Sequence, residues 1–384
     1  MALYVHVPFC LSKCAYCALC SKAVAKESVP ADFADSAARE FDMRVPEEMR
    51  WRPLRSIYFG GGTPAMLGAD GLERLARALE EVGAAADGET EWTVEFNPSP
   101  LLSDSTLLRR VRAMGANRAS FGVQSFDEAV LSACGRIHTA ADARAAVAAA
   151  KGAGFDNVGI DLIAGLPCDD LAKWRLSLES VVSLGVQHVS VYSLIVEPGT
   201  PLARAAADGT FTPCGDEELL DRLTVAEDML VAAGFRRYEI SNYALPGFEC
   251  RHNLGCWRGD DYLGIGPGAS SRIGRTRRAN APDATAWRAA LASGTLPVAE
   301  NEETLSGADD AEERFVFGLR MAEGVAPRIF AERHPAAAPM VSRWEKTLAG
   351  LVATGIAAEV SPGRWALTAR GREVADSAIE RLLA

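Results

Sequence analysis

Three cysteines lie close together near the start of the chain, Cys10, Cys14 and Cys17. Their C-x3-C-x2-C spacing places three soft thiolates on one short loop. Such thiolates can hold three of the four irons of a [4Fe–4S] cubane. The fourth iron is then open to a bound molecule, and S-adenosylmethionine (SAM) can chelate it through its amino and carboxylate groups. A structural zinc site would usually pair C-x2-C elements at a distance. Cys20 leaves two readings: a fourth ligand that closes the cluster for electron transfer, or a spare thiol beside it.

Other residues suited to the same chemistry lie further on. Gly60-Gly61-Gly62-Thr63-Pro64 is a glycine-rich run without the Lys-Ser/Thr ending of a phosphate loop. Alone it reads as a turn; beside the cysteines it looks like a loop for the SAM amino group. Glu95 ends an apolar run and can accept ribose hydroxyls, as acidic residues do in dinucleotide sites. Gln124 and Arg136 flank a short predicted helix, with Ser125 as its cap, Glu128 three residues on and Gly135 as its stop. The Arg136 fork suits a carboxylate. Asp161 interrupts an apolar strand, where an unpaired carboxylate is costly, so a polar partner is expected.

These residues need a scaffold. Short apolar runs at Leu3–Val7, Ser56–Phe59, Trp92–Glu95, Arg118–Phe121, Val158–Ile163 and His188–Ser193 read as strands, several nearly continuous in apolar character, as if covered on both faces. Helical stretches such as Leu72–Val82, Ala140–Lys151 (capped by Thr139) and Glu217–Ala233 separate them. Alternating βα units predict a parallel α/β sheet, open or curled into a barrel. The chemistry-bearing residues fall at strand ends, where parallel α/β folds place their sites. The rhythm predicts a core over 1–242 and an irregular extension over 243–305. Residues 306–384 then form a small unit of helices and a hairpin at Ser361–Arg364, resembling a winged helix.

The chain has 384 residues, 48% hydrophobic, with a net charge of −11. An acidic surface argues against general nucleic-acid binding. Arg272, Arg275, Arg277 and Arg278 form a basic run, expected to be a solvated loop. No secretory signal or transmembrane run is visible, so the cytoplasm is the expected location. Nine cysteines there suggest metal or redox chemistry.

Taken together, the motifs resemble the radical SAM superfamily, and within it the family of oxygen-independent coproporphyrinogen III oxidase (HemN) and the shorter HemW-type haem chaperones. Ordered matches run from Tyr4–Cys10 through Gly60–Pro64, Phe121–Phe126, Gly135–His138, Asp161–Pro167, Tyr192–Thr200, Tyr238–Tyr243, Arg251–Asn253 and Asp261–Gly266 to Gly318–Arg320. The resemblance implies a partial (β/α)6 barrel with a C-terminal extension. It implies SAM contacts at Tyr4, Tyr16, Gly61, Gly62, Thr63, Glu95, Gln124, Arg136, Asp161 and Ile195. It also implies a one-electron donor such as flavodoxin or ferredoxin, haem or a porphyrin as ligand, and a haem-accepting client protein. The start at the first strand and the fourth cysteine at Cys20 favour the chaperone branch over the oxidase. A His-Asn-x-x-Tyr-Trp stretch of that branch reads His252-Asn-Leu-Gly-Cys256-Trp257 here, which makes His252 the candidate haem ligand. Ala18-Leu19 and Gly268-Ala-Ser270 also depart from the pattern. An oxidase, a methyltransferase and a haem-degrading enzyme are the alternatives.

Overall fold

The computed structural model describes residues 1–99 and 105–384. Six strands form its centre: β1 (Ala2–Val7), β2 (Ser56–Gly61), β3 (Glu91–Phe96), β4 (Arg118–Gln124), β5 (Asn157–Ala164) and β6 (His188–Ser193). They pair in chain order, each parallel to the next. A helix follows every one of them, including Gly68–Glu81 after β2, Ala140–Gly152 after β4 and Asp216–Ala232 after β6. The helix Ala140–Gly152 opens on a capping box between Thr139 and Asp142, which satisfies otherwise orphaned N–H groups.

The strands alternate rather than running apolar throughout. Leu3, Val5, Val7, Ile57, Phe59, Val94, Phe96, Phe121, Ile160 and Val189 belong to the main hydrophobic core. The residues between them, Tyr4, His6, Tyr58, Glu95, Ser120, Asp161 and Ser190, take the other face, because successive side chains point to opposite sides of a sheet. That inner face is polar because it surrounds a chamber instead of packing on a second helical layer.

The sheet extends beyond the six strands. β7 (Asn242–Ala244) runs antiparallel to β6. β8 (Tyr262–Ile265) lies parallel to β1 on its free side, followed by antiparallel β9 (Ser270–Ile273), β10 (Thr276–Asn280) and β11 (Ala299–Thr304). The two ends of the sheet do not pair, so the barrel is partial. The expectation of an irregular 243–305 is therefore corrected. These strands are short and turn-rich, which hides their period in sequence.

The basic run is corrected with it. Arg272 is 3% exposed and pairs with Asp310 and Glu313. Arg277 pairs with Glu303 and Glu313, and Arg278 with Glu302. These three arginines sit on β9 and β10 facing acidic groups of β11 and the helix Gly307–Gly318, whereas Arg275 lies in the exposed turn between the two strands, as expected. The predicted Ser125 cap also moves: the short helix Glu128–Ala133 is capped by Asp127, whose carboxylate accepts from the N–H groups of Ala129 and Val130. Ser125 instead meets Ser177.

Residues 311–382 hold a second core, centred on Phe315, Trp344, Leu348, Leu351 and Leu382. Its hairpin pairs β12 (Ala357–Ser361) with β13 (Arg364–Leu367). No helix of the described residues is long and apolar enough to cross a membrane.

Candidate iron–sulfur and cofactor site

At the carboxyl ends of the central strands lies a cavity of about 440 Å³. Cys10, Cys14 and Cys17 line it, together with Tyr16, Gly61, Gly62, Glu95, Gln124, Arg136 and Asp161. Ten predicted site residues separated in sequence by up to 151 positions thus share one chamber. Asn97 and Tyr192 line it too and were not singled out from the sequence.

The cysteine loop is held at both ends. Phe9–Cys10 pairs with Lys22–Ala23. Lys13 Nζ donates to the carbonyls of Leu19 and Ser21, each at 3.2 Å. His6 on β1 adds a tether: its Nε2 lies 2.7 Å from the Cys20 carbonyl and its Nδ1 3.0 Å from the Tyr4 hydroxyl. A carbonyl only accepts, so Nε2 carries the proton and Nδ1 accepts from Tyr4. Burial lowers the His6 pKa, in keeping with that neutral form. Burial pushes the Cys10 thiol up, partly offset by Thr63, while Cys17 and Cys14 push it further. A metal centre binds cysteine as thiolate and displaces the thiol protons to solvent. A cubane takes one sulfur per iron, so the three need not converge on one point; among the described residues no three ligands do.

The second half of the chamber is built for a polar guest. Gln124 has φ +72° at a register shift in β4, and its Oε1 is buried without a partner. A buried orphan acceptor is costly unless a donor arrives, such as a ligand amino or hydroxyl group. Glu95 accepts from Tyr58 Oη at 2.6 Å and Gly61 N at 3.0 Å. Burial raises its pKa to about 7, with Asp161 adding to the rise and Tyr58, Gly61 and Arg118 opposing it. Asp161 has the partner its burial demands, Ser190 on the neighbouring strand, yet burial still lifts its pKa. Gly61 has φ +101°, and a side chain there would strike the His6 ring; at Gly62 one would strike the Phe9 and Val7 carbonyls. Both must be glycine so that the loop can pack on β1.

Arg136 is differently employed from the sequence expectation. Its Nη1 points at Cys14 Sγ, 3.2 Å away, and its Nη2 donates to Asn97 Oδ1 at 3.1 Å and to the Gly122 carbonyl. Burial opposes its charge, but Tyr16 and Cys14 outweigh that and hold its pKa up. The fork braces the cluster loop, leaving its buried Nε without a partner.

Four predicted residues stand outside the lining. Thr63, 3% exposed, sits behind it, donating to Cys10 Sγ at 3.6 Å and accepting from Asn97 Nδ2 at 2.7 Å. Tyr4 lies on the inner face beneath, its hydroxyl on His6. Ile195 is 67% exposed, two residues past β6. His252 is far below, at the amino ends of the strands. It is 8% exposed, its Nδ1 is 3.1 Å from Ser56 Oγ, and its ring packs on Tyr58 and Tyr4. Burial, then Arg118, lowers its pKa to about 4. His252 thus stands apart from the chamber of the three cysteines, with its Nδ1 committed to Ser56. Cys20 lies outside the lining as well, its side chain against the Gly268 turn, and so does not face the other three cysteines' chamber.

Residues 4–179 match the model of the radical SAM superfamily. The heme chaperone HemW of Mycobacterium tuberculosis is 36% identical over 99% of this chain and 94% of its own length. The chain belongs to the HemW family of radical SAM proteins. The heme chaperone HemW of Bacillus subtilis is 33% identical over 86% of both chains. The HemN coproporphyrinogen III oxidase structure from Escherichia coli superposes with a TM-score of 0.83, covering 99% of this chain and 89% of that one, at 23% identity. That likeness concerns the fold. The superfamily implies a [4Fe–4S] cluster and SAM, and the chamber offers three clustered thiols, an orphan acceptor and two buried carboxylates.

Proposed function

We propose that this protein binds haem and delivers it to haem-accepting client proteins in the cytoplasm. The observation that carries the reading is the end-to-end match to a heme chaperone, 99% of this chain against 94% of the relative.

In this reading Cys10, Cys14 and Cys17 hold the cluster. Gln124 accepts from the SAM amino group, and Glu95 and Asp161 accept from its hydroxyls. Tyr16, Gly61 and Gly62 wall the chamber, while Arg136, Thr63 and Tyr4 keep the loop and its supports in place. Ile195 closes the adenine side from beyond β6. Bound together, the cluster and SAM supply one-electron reductive cleavage, with the electron drawn from a reductant such as flavodoxin or ferredoxin. Around them the apolar outer face of the strands keeps water from one side of the chamber. With a pKa of about 7, Glu95 holds a proton part of the time at neutral pH, so it can either donate or accept at a ribose hydroxyl.

Haem titration by absorbance on anaerobically reconstituted protein, with 5′-deoxyadenosine measured in the same samples, tests the reading. Stoichiometric haem binding with little deoxyadenosine is the expected result. Deoxyadenosine formation without haem binding would replace the chaperone with a radical enzyme.

A further inference from the structure

One buried charge takes no part in the cluster or SAM contacts. Arg118 is the only lysine or arginine in the six central strands, and it is 2% exposed. It opens β4 on the inner face, in register with Thr93 of β3 and Asn157 of β5. A buried guanidinium is costly unless negative charge faces it. Yet among the described residues no carboxylate lies within ion-pairing distance of Arg118. Its Nη1 reaches Thr93 Oγ1 at only 3.5 Å, and its Nε is buried without a partner.

The two arms of the fork show what the charge serves. Nη1 touches Thr93, two residues before Glu95 on β3. Nη2 crosses to Gly159, two residues before Asp161 on β5, where an added Cβ would come within 3.1 Å of it. Glycine at that position leaves the guanidinium its room. Residues two apart share one face of a strand, so each arm lies one inward step, about 7 Å, beneath a carboxylate. Neither carboxylate has a cation of its own: Glu95 accepts from Tyr58 and Gly61, and Asp161 from Ser190. The third interior carboxylate, Glu91, is committed at the floor to the N–H groups of Arg251 and His252.

The other groups facing this pair are uncharged. Around Glu95 stand Tyr58 of β2, Tyr4 of β1 and Tyr192 of β6, besides Asp161 and Arg118, and burial raises the pKa of all three tyrosines. His188, beside the guanidinium, is kept neutral by burial and by Arg118, and burial does the same to His6 and His252. Among the described residues Arg118 is thus the one fixed cation beneath the chamber, and the two carboxylates above share it. In a low-dielectric interior such a charge acts over several ångströms without direct contact.

We propose that Arg118 is a positioning residue for SAM: its buried charge, one step beneath Glu95 and Asp161, holds both as carboxylates for the hydroxyls of the bound molecule. The inference rests on the reading of those two residues as SAM contacts. Hydrogen bonds to a carboxylate are roughly twice as strong as neutral ones. Loss of the cation therefore weakens SAM binding where the pair takes up protons, and not where it stays ionised.

The test is SAM affinity of the anaerobically reconstituted full chain, measured by equilibrium dialysis from about pH 6 to about pH 9. In wild type, affinity should rise with pH through about 7 as Glu95 ionises. Arg118→Met and Arg118→Gln, one apolar and one hydrogen-bonding replacement, should move that rise upward by about one pH unit or more. Each should then bind SAM about fivefold more weakly at neutral pH and approach wild type near the alkaline end. Arg118→Lys keeps a cation and should retain most of the wild-type profile. Circular dichroism confirms the folding of each variant. Equal weakening at every pH, an unmoved rise, or an Arg118→Lys profile that matches the neutral variants overturns the inference. Glu95→Gln, with Arg118 intact, should abolish the rise. If it does so while the Arg118 variants leave the rise in place, the inference falls and the SAM contacts stand. If Glu95→Gln leaves affinity and its pH course unchanged, both fall.

Discussion

The mouth and the floor of the barrel are made from the two ends of the same six strands, and both are polar, yet they are finished differently. At the mouth, loops bring sulfurs, carboxylates and amides to the edge of an open chamber, and Gln124 Oε1 and Arg136 Nε are left without partners. At the floor, a short helix closes the end. Glu91 reaches across to accept from the N–H groups of Arg251 and His252 at 2.9 and 3.1 Å, serving as the cap that the helix Arg251–Trp257 lacks. His252 follows that cap into the barrel. There its ring packs on Tyr58 and Tyr4.

Substitutions can separate the two ends. The largest effect is expected at the mouth: Cys10→Ser, Cys14→Ser or Cys17→Ser should abolish the reconstituted cluster, read by iron content and visible absorbance, with thermal unfolding nearly unchanged. A cluster that survives any of them would break the assignment of the mouth. At the floor, Glu91→Ala should cost about 2–3 kcal/mol in denaturant unfolding, because buried N–H donors lose their acceptor. SAM binding by the folded protein should persist; its loss would mean that the two ends are coupled.

Glu95 links mouth to stability through pH. Its pKa in the folded protein, about 7, is above the ordinary 4.5, so folding favours its protonated form. The stability this contributes is present below pH 4.5 and is lost as pH rises through 7. The change Glu95→Gln removes that loss, so the variant should gain roughly 3 kcal/mol relative to wild type between pH 4.5 and pH 8. An offset that does not vary with pH would contradict the buried-carboxylate account. The smallest effect concerns His252→Ala, which should cost roughly 1–2 kcal/mol in denaturant unfolding, because the buried ring and its contact to Ser56 are lost; unchanged stability would contradict the packed floor.

Much of the mouth was legible in sequence because its residues follow strand ends at recognisable spacings. The thiolate loop, the glycine run, Glu95, Gln124, Arg136 and Asp161 all read out this way, and all line one chamber. The strand positions were equally plain, but not their inner face. Tyr58, Arg118 and His188 lie far apart in sequence, and only the pleat shows that they share an interior. Asn97 stood beside Glu95 in sequence without a visible partner until Thr63 and Arg136 folded onto it. The 243–305 region misled because strands of four to six residues set among turns show no period, and its arginines looked solvated because the carboxylates that pair with Arg272 lie 38 and 41 residues away.

The central claim is an open [4Fe–4S] site on three cysteines, and electron paramagnetic resonance of the reduced, reconstituted protein tests it most directly. Wild type and Cys20→Ala should show the same cluster signal with about four irons per chain, and SAM should shift that signal in both. If Cys20→Ala loses the cluster, or if SAM leaves the wild-type signal unchanged, the site is closed by a fourth ligand and the account is contradicted.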